Sequence, residues 1–248
     1  MELWYDDDQL CDQERKLFDA CKYGNVKAIS QFLTDTQINL NCATEYGHTP
    51  LWIACRYNKI EVVKLLLNDE RVDINKASDS GMTPFLQVCL FGPFDIMKLL
   101  LNDPRLDVNY AENEDRVTPF YGACQEGKIK TVKYILASSR EVNINAKDSD
   151  GKAAIDIVRE RRDEERSQIR KERDAKIIEL LESFERNPNE TRIKLRLEFG
   201  FAGILIFNFS FSFELIVLLN TFLDDDAASI FVSIVLLSDN YFDFKNNY

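Results

Sequence analysis

Residues 44–77 read TEYGHTPLWIACRYNKIEVVKLLLNDERVDINKA. The stretch predicts a turn, a short helix, a second helix and an extended tail. Gly47 supplies a residue able to take positive φ. Thr49 can cap the first helix, and Pro50 fits its first position, where a missing N–H costs nothing. Leu51 and Ala54 face inward, and the small Ala54 lets helices approach closely. Val62, Val63, Leu65, Leu66 and Leu67 make the second helix nearly all apolar. A helix of that kind must be covered on most sides, so the unit demands neighbours.

The neighbours are copies of itself. Residues 78–111 carry Gly81, Thr83, Pro84, Phe85, Val88, Ile96, Leu99 and Leu100 in the same order, and residues 112–147 carry Thr118, Pro119, Phe120, Ala123, Val132, Ile135 and Leu136. Residues 14–43 form an earlier copy without Thr-Pro, opening on the polar Glu14, Arg15 and Lys16, as a terminal repeat should. Each turn opens on Thr44, Ser78, Asn113 or Asp148, whose side chains can bond their own downstream backbone. Cys21, Cys55, Cys89 and Cys124 recur at intervals of 34, 34 and 35 residues. Stacked helices sit roughly 8–10 Å apart, beyond the ~7 Å limit for a disulfide. These thiols therefore read as small buried hydrophobes in a reducing, intracellular compartment.

The period, with Gly47-His48-Thr49-Pro50-Leu51, then Ala54, Val62-Val63, Leu65-Leu66 and Asp73-Ile74-Asn75, resembles the ankyrin repeat. The resemblance covers about residues 14–184 and implies an all-α solenoid of five helix–turn–helix repeats (14–43, 44–77, 78–111, 112–147 and 148–184) with finger turns. There are departures. The family's His after Thr-Pro-Leu is Trp52, Leu86, Tyr121 and Asp156 here, so the bonds it makes to adjacent turns are absent or replaced. Asn68 and its neighbours replace the Gly after the second helix; Asn can end a helix left-handed, and a longer loop is expected. Arg116 stands at a turn position that favours Gly.

The fifth repeat is altered. Val158 to Ile177 spans 19 residues where Ala54 to Val62 spans 8. The insertion, within 159–176, holds eight basic and six acidic residues and predicts an extended, solvated helix. Residues 1–13 read as an acidic lead-in without a secretory signal, and Trp4 and Tyr5 as packing onto the first helix. Residues 185–197 read as a linker, with a boundary near 187–189. In the tail, 198–248, residues 201–223 have one charge, Glu214, and are long enough to span a bilayer. Arg192, Lys194 and Arg196 before it would keep the repeats cytosolic. Against a span stand the cost of Glu214 and the alternation of Asn208, Ser210 and Ser212 with phenylalanines, closer to a strand. A membrane anchor, a tail packed on the last repeat and an unfolded tail all stay open.

The formal net charge of −11 argues against sequence-independent binding to nucleic acid. His48 is the sole histidine, and no nucleophile elbow, phosphate loop or paired-cysteine metal motif is present. The expected reading is a non-catalytic, monomeric, cytoplasmic module that binds a protein and needs no cofactor; the alternative is the same scaffold held at a membrane. The resemblance implies contact through the turn fingers and the concave ends of the first helices. Position by position that gives Tyr46, His48, Trp52, Arg56 and Tyr57; Ser80, Met82, Leu90 and Phe91; and Asp115, Val117, Gln125 and Glu126. Trp52 could instead pack between repeats, filling the space of the family's His.

Overall fold

The computed structural model describes residues 10–200. Residues 1–9, with Trp4 and Tyr5, and the 201–223 candidate segment lie outside them. Eleven helices and no strand occur among the described residues. Five inner helices, α1 (Asp12–Tyr23), α3 (Pro50–Arg56), α5 (Pro84–Phe91), α7 (Pro119–Gln125) and α9 (Ala154–Glu164), pack each on the next. Five outer helices, α2 (Val26–Thr34), α4 (Ile60–Leu67), α6 (Phe94–Asn102), α8 (Ile129–Ala137) and α10 (Gln168–Arg186), do the same and pair with the inner ones. The expected all-α solenoid of repeats is therefore the fold.

Local chemistry sets the helix starts. Thr49, Thr83 and Thr118 accept from the N–H groups of Trp52, Leu86 and Tyr121 at 3.1–3.2 Å, each with Pro next in line. Where Thr-Pro is missing, a carboxylate reaches back: Glu14 accepts from Cys11 N–H, and Asp156 from Ala153 N–H. The core lies between the two helical layers, where Leu51, Ala54, Phe85, Val88, Phe120 and Ala123 are buried. All six cysteines are free thiols; Cys11 is exposed and the other five are buried.

The outer helices end differently from expectation. Asn68 stays right-handed, with φ −74° and ψ −10°. The terminal carbonyls are met instead by an arginine of the following repeat. Arg71, held by Asp69, donates to Leu33 O and Asp35 O. Arg105, held by Asp103, donates to Leu67, Asp69 and Val72. Arg140 reaches Pro104 and Leu106. The Arg71 and Arg105 guanidinium groups sit at helix C-termini, where orphan carbonyls and the dipole favour a cation, whereas Arg140 ties down the loop that follows α6. An asparagine ladder runs beside it: Asn41, Asn75 and Asn109 each accept at 2.8 Å from the next repeat's Asp73, Asp107 and Asn143 N–H.

Two stretches correct the sequence reading. The insertion is not one solvated helix; it lengthens α9 and α10 around a short bend at 165–167. Asp174 is fully buried and bonds Arg161 at 2.7 and 2.9 Å and Arg173 at 3.0 Å. Arg161 also donates to Cys124 O at the end of α7. The 185–197 stretch, expected to be a linker, forms α11 (Pro188–Glu198). Pro188 is its first residue, and Asn187 Oδ1 accepts from Glu190 N–H. Thr191 bonds Ser183, Arg192 lies over the Phe184 ring and donates to Leu136 O, and Leu195 is buried.

The chain divides into two compact units, Met1–Leu195 and Arg196–Tyr248, with every repeat in the first. The described part of the second is the end of α11 and the left-handed Gly200. No helix among the described residues is long and apolar enough to cross a membrane.

Candidate functional site

The fingers are short loops closed on themselves. Thr44 N–H donates to His48 O, and His48 N–H returns to Thr44 Oγ1. Ser78 with Met82, and Asp148 with Lys152, repeat the pattern. In repeat four the closing residue is Glu112, not Asn113: it pairs with Val117 through both backbone and carboxylate. That finger is one residue longer, and Asn113 instead bonds the finger before it through Ser80 O and Asp79 O.

Successive fingers are tied by backbone bonds, Asp79 N–H to Tyr46 O, Asn113 N–H to Ser80 O and Ser149 N–H to Asp115 O. Their spacing is tight. A Cβ on Gly47 would lie 2.6 Å from Asp79 N, and one on Gly81 would lie 2.5 Å from Asn113 N. Both glycines have φ near +80°. Arg116 holds the equivalent place at φ 58°. A non-Gly residue there costs ~1 kcal/mol, part of which glycine's own entropy offsets. Arg116→Gly is therefore expected to raise the unfolding free energy by about 0.5 kcal/mol, read by urea denaturation.

At the second finger the His48 ring stacks on Trp52, with centroids 3.8 Å apart and planes at 19°. Tyr46 lies beyond it, 6.1 Å from His48. Burial, opposed in part by Asp79, holds the His48 pKa below its usual value, so the ring is neutral at pH 7. Trp52 is half-buried under this stack. Tyr121 replaces the missing histidine contact in repeat four: its hydroxyl donates to Asp148 Oδ2 at 2.5 Å, joining α7 to the fifth finger. Burial and the accepting carboxylate both push the tyrosine pKa up.

Of the expected contact residues, Tyr46, Arg56, Ser80, Phe91, Asp115, Gln125 and Glu126 are exposed, and His48, Trp52, Tyr57, Met82 and Val117 are half-buried. Leu90 is not a surface residue. It is buried against Gly122, whose missing Cβ would sit 2.8 Å from Leu90 Cδ2. The glycine leaves the hollow that the leucine fills. Arg56, Tyr57, Phe91, Gln125 and Glu126 cluster at the C-terminal ends of inner helices, and the finger residues form a second row.

The same geometry adds residues that the motif reading passes over. Tyr23 ends α1, 34 residues before Tyr57, and is 69% exposed. Lys22 Nζ lies 5.3 Å from the Tyr23 ring and 5.6 Å from the Tyr57 ring. The first repeat has no Thr-Pro to anchor an alignment, but the spacing of 34 carries the signal.

Residues 4–78 and 70–148 match a family model described as ankyrin repeats in three copies. The chain belongs to the ankyrin-repeat family. No curated protein matches it. Ankyrin repeats are in general protein–protein interaction modules, and the match reaches the fourth of the repeats described above. The helix pair α9 and α10 lies beyond the matched residues. Among the described residues no group of three or more His, Cys, Asp or Glu side chains could hold a metal ion.

Proposed function

We propose that this ankyrin-repeat chain is a non-catalytic, cytoplasmic scaffold or adaptor that binds a protein as a monomer. The binding face joins the finger tips to the C-terminal ends of the inner helices. One observation carries the reading: Tyr23, Tyr46 and Phe91 are 69%, 46% and 58% exposed, and all three lie on this face. Large aromatics held on rigid helices and tied loops make effective anchors, because little side-chain freedom is lost on contact. The five buried thiols suit a reducing compartment.

The test is affinity capture with the full chain, identification of the retained protein, and repetition with Tyr46→Ala, Tyr57→Ala and Phe91→Ala combined. Two or three anchors at 1–2 kcal/mol each predict a loss of about thirtyfold or more in affinity, with the helical circular dichroism unchanged. Lys98→Ala on the outer helix α6 is expected to leave capture intact. Capture that persists in the triple variant contradicts the assignment of the face.

A further inference from the structure

Tyr23, Tyr57 and Phe91 occupy one position of the repeat, at the ends of α1, α3 and α5, at intervals of 34 residues. The Tyr23 and Tyr57 rings flank the single Lys22 ammonium. Three more cations border the row. Arg56 is exposed beside Tyr57. The Lys59 stem runs along Gly24, where a Cβ would be 3.0 Å from Lys59 Cδ. Lys128 Nζ sits 3.0 Å from Gly92 O, next to Phe91. A chain of net charge −11 thus presents a ridge of three aromatic rings set among four cations. At the fourth repeat the position is Glu126, and the row stops.

The step of the row selects a partner conformation. Neighbouring packed helices repeat at roughly 8–10 Å. A polyproline II segment has three residues per turn and ~3.1 Å per residue, so the same face returns every ~9 Å. An α-helix presents a face every ~5.4 Å and a strand every ~6.6 Å, so neither returns a face to each ring in a single step. Aromatic ridges are also the surfaces on which proline-rich segments dock, with little ordering entropy left to lose. The bordering cations call for carboxylates on the partner.

We infer that the Tyr23–Tyr57–Phe91 row binds an acidic, proline-rich segment in the polyproline II conformation. This rests on the proposed interaction face and names the class of partner it takes.

The experiment is fluorescence anisotropy of the full chain with a labelled peptide of four Pro-Pro-Glu triplets. Peptides of four Pro-Pro-Lys and four Gly-Ser-Glu triplets serve as comparisons. The expected result is saturable binding of the first, no binding of the second, and at least about tenfold weaker binding of the third, which keeps the charge but loses the conformation. Tyr23→Ala is expected to weaken binding about 5- to 30-fold, at an unchanged thermal midpoint because the side chain is exposed, while Tyr23→Phe retains it. Equal affinity for the Glu peptides with and without proline, or an unchanged affinity in Tyr23→Ala, would overturn the inference. A Pro-Pro-Glu peptide that does not bind, while the triple variant still loses its captured protein, overturns this inference alone. Capture that survives in the triple variant removes the interaction face itself.

Discussion

Asp174→Ala is expected to lower the unfolding free energy by about 3 kcal/mol, with the fifth repeat released first. The carboxylate is fully buried and shared by Arg161 and Arg173, which are themselves 24% and 33% exposed. Removing it leaves two guanidinium groups facing one another. Breaking a fully buried pair from one side costs about 3–5 kcal/mol, and the partial exposure of the arginines places this case at the lower end. Arg161 also caps α7 through Cys124 O, so the loss spreads into the fourth repeat.

The same site sets an acid dependence. Burial pushes the Asp174 carboxyl up, but the bonds and charges of Arg161 and Arg173 outweigh it and hold the pKa below the usual carboxylate range. A group with a depressed folded pKa stabilises the protein fully above its ordinary value of ~3.9 and loses that contribution as the pH falls through the folded value. The wild-type stability is therefore expected to fall below about pH 4 more steeply than that of Asp174→Ala. Urea denaturation at pH 7 and at acid pH measures both effects. Equal stability of the two proteins at pH 7 would show that the pair does not tie the last repeat to the stack.

Gly81→Val has an expected cost of similar size, from a different cause. Its φ of +84° disfavours any L-residue by ~1–2 kcal/mol, most of all a β-branched one. Its Cβ would also lie 2.5 Å from Asn113 N, so the bond from Asn113 N–H to Ser80 O must open. A lost bond adds ~1 kcal/mol, for a total of about 3. Gly151→Ala separates the two terms. Gly151 has φ +79°, but a Cβ there would meet nothing within 4 Å, so only the backbone term of ~1 kcal/mol applies. If Gly151→Ala costs as much as Gly81→Val, finger spacing is not what the glycines protect.

Much of the fold is legible in the sequence because the repeat states each local rule several times. Thr-Pro starts at 49, 83 and 118, and apolar runs such as Val62 to Leu67, fix helices by local chemistry that does not depend on distant partners. What escapes is chemistry completed by a neighbouring repeat. Arg71 and Arg105 look like loop charges, although Asp-x-Arg recurs at 69–71 and 103–105; their carbonyl partners lie more than thirty residues back. Asp174 looks solvated within a charged run, and only the packing of α10 on α9 reveals its burial. Pro188 marks a helix start within a stretch that reads as a linker, because Thr191 and Leu195 find cover on the preceding helix and its neighbours. The site is legible in the same uneven way. Tyr57 and Phe91 follow from Thr-Pro, Leu90 is misplaced because the hollow at Gly122 belongs to another repeat, and Tyr23 emerges from spacing alone.

The central claim is that partners meet the finger and inner-helix-end face and not the outer helices. The most direct measurement is site-specific photocrosslinking of the full chain in living cells that express it. A benzophenone side chain is placed in turn at Tyr23, Tyr46 and Phe91, and at the exposed outer-helix positions Lys64, Lys98 and Glu179. The expected result is a discrete crosslinked adduct of the same mass from the first three positions and none from the outer three. Adducts that form from Lys64, Lys98 or Glu179 and not from Tyr23, Tyr46 or Phe91 would contradict it.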